Sequence, residues 1–128
     1  MKNKRAKILL AGLIIFAVSI AALAQSNYIK VRFGKGRTSA VLKGSLKNSN
    51  AVKHYELAAR GGQTMTVHVS SAKKNAKFSV YPYGQTYTLD GAEGVDDWSG
   101  ELPENGRYVI TVMSDGGASN YTLEVGIR

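Results

Sequence analysis

The chain of 128 residues contains no cysteine, two prolines, one tryptophan and two histidines. Without cysteine no disulfide can form, and no lipid can be attached to a cysteine next to a cleavage site. The fold must therefore be held together by its apolar core alone. There is also no thiol that could serve as a catalytic nucleophile.

Catalytic groups of other kinds are scarce. His54 and His68 lie in the polar phase of separate predicted strands, and such an isolated pair is a weak signature of a metal or catalytic site. We expect both histidines to face solvent. No serine lies in a Gly-x-Ser-x-Gly motif. The sequence therefore predicts no catalytic residues and no enzyme activity.

One acidic stretch contains Asp90, Glu93, Asp96 and Asp97. Oxygen ligands on a glycine-containing loop are what Ca²⁺ prefers, but the spacing does not match the twelve-residue calcium loop with its closing glutamate. A solvated loop is favoured over a calcium site, and we expect neither a metal nor a cofactor.

Residues 1–24 have the three parts of a secretory signal peptide. A basic start is followed by an uncharged apolar run, residues 8–21, and by the small residues Ala22 and Ala24. The pattern predicts cleavage after Ala24, a mature protein of residues 25–128, and a periplasmic or secreted location in a bacterium. An uncleaved anchor is the alternative, but the apolar run is short against the ~20 residues of a spanning helix.

The charge balance is modest once the leader is set aside. The chain has 17 Lys and Arg against 9 Asp and Glu, and the leader's four basic residues leave 13 against 9, a net charge of +4. This excess suits solubility and mild attraction to acidic partners. No basic stripe is interleaved with aromatic residues, so we expect no nucleic acid partner. Once the signal peptide is cleaved, we also expect no membrane association.

Apolar and polar residues alternate through almost all of residues 25–128, with turn signals between the runs. Strict alternation indicates antiparallel sheets with one buried and one solvated face. Seven or more such strands predict one all-β domain, a β-sandwich, with a small closed barrel as the alternative. The predicted inward residues are Ile29, Val31, Phe33, Ala40, Leu42, Leu46, Tyr55, Leu57, Met65, Val67, Val69, Ala76, Phe78, Val80, Tyr108, Ile110, Val112, Tyr121, Leu123, Val125 and Ile127.

The most patterned stretch is WSGELPENGRYVITV, residues 98–112. Trp98 and Leu102 are four apart and can face the core from one strand, which Pro103 would end because it cannot donate to a ladder. Asn105 and Gly106 tolerate the positive φ of a tight hairpin. We therefore interpret the stretch as structural, with Trp98 buried between two sheets.

Four segments resemble a known family. Residues 55–69 (YELAARGGQTMTVHV), 98–112 and 121–127 (YTLEVGI) resemble the pre-peptidase C-terminal domain, a jelly-roll-like β-sandwich of secreted bacterial proteins. Residues 28–46 (YIKVRFGKGRTSAVLKGSL) extend the resemblance to the periplasmic inhibitors of goose-type lysozyme. These motifs are mostly core and turn residues, and they specify a fold better than an activity.

The resemblance implies a secreted binding protein that inserts loops into the cleft of a lysozyme. A module that binds carbohydrate or cell wall is the alternative. In the inhibitors, the loop before the final strand is basic and helps to engage the lysozyme; here that loop, residues 114–120, carries an aspartate and no arginine. Aromatic side chains favour such contacts, and glycines let the backbone approach a cleft. The predicted partner-binding residues are Tyr81, Tyr83, Tyr87, Ser114, Asp115, Gly116 and Gly117.

Overall fold

A computed structural model describes residues 27–128, so the predicted signal peptide lies outside the described residues. Eight strands make up the domain, and no helix long and apolar enough to cross a membrane occurs in this part of the chain. The strands are β1 (Tyr28–Lys30), β2 (Ser39–Leu46), β3 (Val52–Ala59), β4 (Thr64–Ser71), β5 (Ala76–Pro82), β6 (Asp97–Glu101), β7 (Gly106–Ser114) and β8 (Ser119–Ile127).

The strands form two four-stranded sheets, in the orders β1-β3-β7-β5 and β2-β8-β4-β6. Each successive strand belongs to the other sheet, which gives the sandwich its jelly-roll character. The predicted β-sandwich is thus confirmed. All strand pairs are antiparallel except β1 and β3, which run parallel with Tyr28 opposite His54. The parallel pair arises because β1 crosses to the other sheet before the chain returns as β3.

The core lies between the sheets and follows the predicted alternation. Met65, Phe78 and Leu123 are completely buried. Tyr55 and Leu57 on β3 face the same interior from the other sheet. Ile29 departs from the prediction because it is 41% exposed. It lies on a three-residue edge strand, where the opposite sheet covers it incompletely.

Trp98 packs against the core cluster, as its phase predicts, but it is only partly buried, so the prediction of a buried ring between the sheets is wrong. β6 is the edge strand of its sheet, and Trp98 pairs with the buried Val67 across the ladder. The Trp98 ring lies over Gly100 of the same strand, and a Cβ at position 100 would collide with the ring. Its Nε1 donates a hydrogen bond of 2.9 Å to the carbonyl oxygen of Asp90. The tryptophan therefore closes the edge of the sandwich.

The predicted hairpin at Asn105 and Gly106 is also wrong. β6 pairs with β4, whereas β7 pairs with β3 and β5, so residues 102–105 cross from one sheet to the other. Leu102 is buried in this crossing. Tyr108 Oη donates to the carbonyl oxygen of Glu104 at 2.6 Å and accepts from its N–H at 3.3 Å. This tyrosine corner fixes the crossing.

The strand directions give the sandwich two ends. β1, β3 and β5 run together and finish at one end, where residues 83–87 and 102–105 also lie; we call it the tyrosine end. The opposite end carries the connections of residues 72–75 and 115–118, and we call it the glycine-turn end.

Candidate functional site

The predicted partner-binding residues lie at opposite ends of the molecule. Pro82 pairs with Tyr108 at the tyrosine end, and Ala76 pairs with Ser114 at the glycine-turn end. The length of β5 therefore separates the two groups by about 20 Å at the usual rise of a strand. A partner that covers one end does not need the other, so the two groups are separate candidate surfaces.

Tyr83 and Tyr87 are exposed at the tyrosine end, at 44% and 58%. The backbone N–H of Tyr83 donates to the carbonyl oxygen of Arg107 at 2.9 Å, which ties the loop to the start of β7. The guanidinium carbon of Arg107 lies 3.8 Å from the centroid of the Tyr83 ring. The cation thus holds this ring in place while leaving much of it accessible.

Tyr81 is different, because it is partly buried on the outer face of the first sheet. Its Oη lies 2.7 Å from Thr111 Oγ1, and that hydroxyl also lies 2.8 Å from His54 Nδ1. Tyr28 stacks on His54 at 5.3 Å between ring centroids and meets Tyr83 edge-on at 5.8 Å. The hydroxyl of Tyr81 is therefore already engaged by the side chains of this face.

His54 does not face solvent freely, contrary to expectation. Burial lowers the pKa of His54, so the neutral imidazole is favoured in the folded protein. Burial, followed by the nearby Tyr81, Tyr83 and Glu56, raises the pKa of Tyr28. Side chains from four strands cover His54 on the outer face of the sheet. Alternation along a single strand cannot predict this cover, because it carries no information about the neighbouring strands. His68 is exposed as predicted, with Nδ1 at 3.3 Å from Asp97 Oδ1.

A cleft of about 190 Å³ opens beside the two exposed tyrosines. It lies between residues 82–87 and residues 103–108, and Gln85, Glu104 and Arg107 bring polar groups to its walls. Flat aromatic surface beside amide, carboxylate and guanidinium groups suits a ligand with both apolar faces and hydroxyls, as a sugar has.

At the glycine-turn end, Ser114 is buried at 5% exposure, so its side chain presents little surface to a partner. Its Oγ donates to the carbonyl oxygen of Gly117 at 2.6 Å and accepts from the N–H of Gly116 at 3.2 Å. The side chain of Ser114 thus closes the turn from inside. The exposed tip consists of Asp115, Gly116 and Gly117, the last with a φ of 73°.

Asn75 organises the same turn from the neighbouring connection, and the sequence analysis missed it. Its Nδ2 donates to the carbonyl oxygens of Gly116 and Ala118, both at 2.9 Å. The backbone carbonyl oxygen of Asn75 accepts a hydrogen bond from the backbone N–H of Asp115 at 2.9 Å. Asn75 is 6% exposed, so these bonds are shielded from water. The backbone of the turn is therefore bonded from inside the protein.

The carboxylates of the acidic stretch do not converge on one point. Asp96 Oδ2 lies 3.5 Å from Lys77 Nζ, and Asp97 contacts His68. Within residues 27–128 no group of three or more His, Cys, Asp or Glu side chains is placed to hold a metal ion.

No family model and no curated protein sequence matches the chain. Aeromonas hydrophila PliG, a periplasmic lysozyme inhibitor of g-type lysozyme, is 34% identical, with a TM-score of 0.67 over 80% of this chain and 96% of that one. A mutant of PliG from Escherichia coli is 25% identical, with a TM-score of 0.60 over 79% and 97%.

A more distant likeness shows the fold alone. The pre-peptidase C-terminal domain of a Bacillus anthracis collagenase is 13% identical, with a TM-score of 0.55 over 79% of this chain and 94% of that one. The match to the Aeromonas protein, by contrast, combines this coverage with 34% identity. The chain therefore belongs to the PliG family of periplasmic inhibitors of g-type lysozyme.

Proposed function

We propose that this protein acts in the periplasm as an inhibitor of g-type lysozyme and that it blocks the cleft of the enzyme with the glycine turn. Its relatives from Aeromonas and Escherichia coli are periplasmic inhibitors of that lysozyme class, and the present chain shares their whole domain. The proposal for the contact region rests on the structure of the turn itself.

The single observation that carries this choice is the internal bonding of the turn. Asn75 and Ser114 use buried side chains to hold the backbone of residues 115–118, so little conformational entropy is lost when the turn binds. Gly116 and Gly117 add no side chains at the tip, which keeps it narrow enough to enter a cleft. Asp115 is the one charged group there.

Replacing Gly116 with arginine should weaken inhibition at least about tenfold, the equivalent of 1.4 kcal/mol. No atom lies within 4 Å of the position that a Cβ would take, so the long side chain extends into the space that the enzyme must occupy. The inhibition constant against a g-type lysozyme gives the measurement.

A matched control places the same side chain on the exposed Ser99 of β6, away from both ends. Ser99→Arg should inhibit as well as the wild type, and both variants should keep their free energy of unfolding within about 0.5 kcal/mol. Equal inhibition by Gly116→Arg and wild type would remove the glycine turn from the contact.

The tyrosine end supports a second candidate function, the binding of cell-wall carbohydrate. The specific observation is the cleft that joins Tyr83 and Tyr87 with Gln85, Glu104 and Arg107. The same tyrosines are also the alternative contact for a lysozyme, because exposed aromatic residues are typical of binding hot spots.

Tyr83→Ala and Tyr87→Ala should each reduce sedimentation with peptidoglycan about tenfold if this cleft holds a glycan, because each removes a stacking surface. Tyr87 is the cleaner probe, since Tyr83 also supports Arg107. Val41→Ala, which truncates another exposed apolar residue, is the control. Loss of lysozyme inhibition with peptidoglycan binding intact would instead assign the tyrosines to the enzyme contact.

A further inference from the structure

The acidic and basic residues of this chain are separated along the sequence. All nine Asp and Glu residues lie at position 56 or beyond. Residues 27–55 contain none, and they carry the cations Lys30, Arg32, Lys35, Arg37, Lys43, Lys47 and Lys53. The net charge of +4 therefore combines +7 on residues 27–55 with −3 on residues 56–128, where six basic residues accompany the nine acidic ones.

The topology converts this separation into two charged sides. β1 and β2 are the edge strands of their sheets. β5, the edge strand opposite β1, packs across the core on β4, which is the neighbour of β6, and on β8. β1 therefore lies on the same side of the sandwich as β2. A shallow cavity lined by Lys53 of β3 and Lys43 of β2 joins the two sheets along this side. We call Lys30, Arg32, Lys35, Arg37 and Lys43 the basic edge; all five are exposed.

Five of the nine carboxylates lie on the opposite side, in residues 90–96 and in β6, the far edge strand of the second sheet. Two others lie beside the basic edge, since Glu56 of β3 is in register with Lys30 and Glu124 of β8 with Val41. The three ion pairs among residues 27–128 are His68 with Asp97, Lys77 with Asp96 and Arg107 with Glu56. No member of the basic edge takes part in them. Its five cations are therefore exposed to solvent without an ion pair within the described residues.

Two features beside the basic edge indicate which kind of partner it fits. Ile29 and Val41 present exposed apolar side chains, at 41% and 63%, next to the cations. Cations flanked by apolar side chains match a membrane surface, where the first meet headgroups and the second enter the interface. The apolar leader predicted for residues 8–21 also joins the domain through β1, so export brings this side close to a bilayer.

We propose that the basic edge docks the domain on the anionic phospholipid headgroups of a membrane. Each exposed lysine or arginine close to such a surface raises partitioning roughly fivefold, and the effect decays within a Debye length. Both ends of the sandwich stay free in this arrangement, so the docked protein can still present its glycine turn. The expectation of no membrane association rested on removal of the apolar leader, and it did not take the distribution of charge over the domain into account.

The test uses the secreted protein and vesicles of phosphatidylcholine with or without phosphatidylglycerol. One variant carries Lys30→Gln, Arg32→Gln, Lys35→Gln and Arg37→Gln. Its matched control carries Arg60→Gln, Lys73→Gln, Lys74→Gln and Arg128→Gln, which remove the same charge from exposed positions elsewhere. Co-sedimentation gives the partition coefficient, and inhibition of g-type lysozyme is measured for both variants.

We expect salt-sensitive binding to the vesicles that contain phosphatidylglycerol, at least tenfold weaker for the basic-edge variant and nearly unchanged for the control. Inhibition by the basic-edge variant should stay intact, which separates docking from the proposed function. Equal losses in both variants would show that net charge alone attracts the protein, and this would overturn the proposal. Binding to soluble polyphosphate without binding to vesicles would overturn it as well.

Discussion

Replacing Tyr108 with alanine is expected to lower the free energy of unfolding by about 3–5 kcal/mol, the usual cost of deleting a large aromatic side chain from a core. The ring is 2% exposed and packs in the cluster between the sheets. The same residue closes the tyrosine corner, so the variant also loses the contact that fixes residues 102–105 between the two sheets.

Tyr108→Phe separates the two contributions of this side chain. It keeps the ring and removes the hydroxyl that bonds to both backbone groups of Glu104, and it should cost about 1 kcal/mol because the exposed Glu104 can turn to water. Urea denaturation of both variants provides the values. A loss under about 1 kcal/mol for Tyr108→Ala would mean that the crossing does not depend on this anchor.

The inward faces of the strands could be predicted because burial imposes a period of two on each strand separately. Met65, Val67 and Val69 illustrate this, since all three are buried as expected. Pairing could not be predicted in the same way, because alternation carries no information about which strand lies alongside. Asn105 and Gly106 have hairpin chemistry, yet they end a crossing between sheets.

The candidate site was predictable only where residue type and turn position agree. Tyr83, Tyr87 and the tip of the glycine turn are exposed as such residues suggest. Asn75 and Arg107 escaped notice because their roles depend on partners that are 41 and 24 positions away in sequence. Contacts of this kind arise from the topology, which no local pattern encodes.

A buried pair of tyrosines joins the two sheets. Tyr55 of β3 and Tyr121 of β8 place their hydroxyl oxygens 2.5 Å apart, and both residues are at most 3% exposed. Burial raises the pKa of Tyr121, and the hydrogen bond to Tyr55 adds to this effect. Gly44 lies opposite Tyr121 in the ladder, where an added Cβ would collide with the Tyr121 ring.

Tyr55→Phe and Tyr121→Phe should each lower the free energy of unfolding by about 1–3 kcal/mol, because each leaves one buried hydroxyl without its partner. The double variant leaves no orphaned hydroxyl, so it should lose clearly less than the sum of the two single losses. Denaturation at neutral pH measures this coupling, and strictly additive losses would show that the hydroxyls do not depend on each other.

The pH dependence of stability gives the same pair an independent readout. A tyrosine whose pKa is raised on folding stabilises the protein fully below its unfolded pKa of about 10, and this contribution is lost as the pH rises above that value. Because Tyr121 ionises far more readily once unfolded, the wild type should lose stability more steeply above about pH 10 than Tyr121→Phe does. Tyr87→Phe, at an exposed position, is the control and should follow the wild type. Parallel curves for wild type and Tyr121→Phe would show that the Tyr121 hydroxyl is accessible to water in the folded protein.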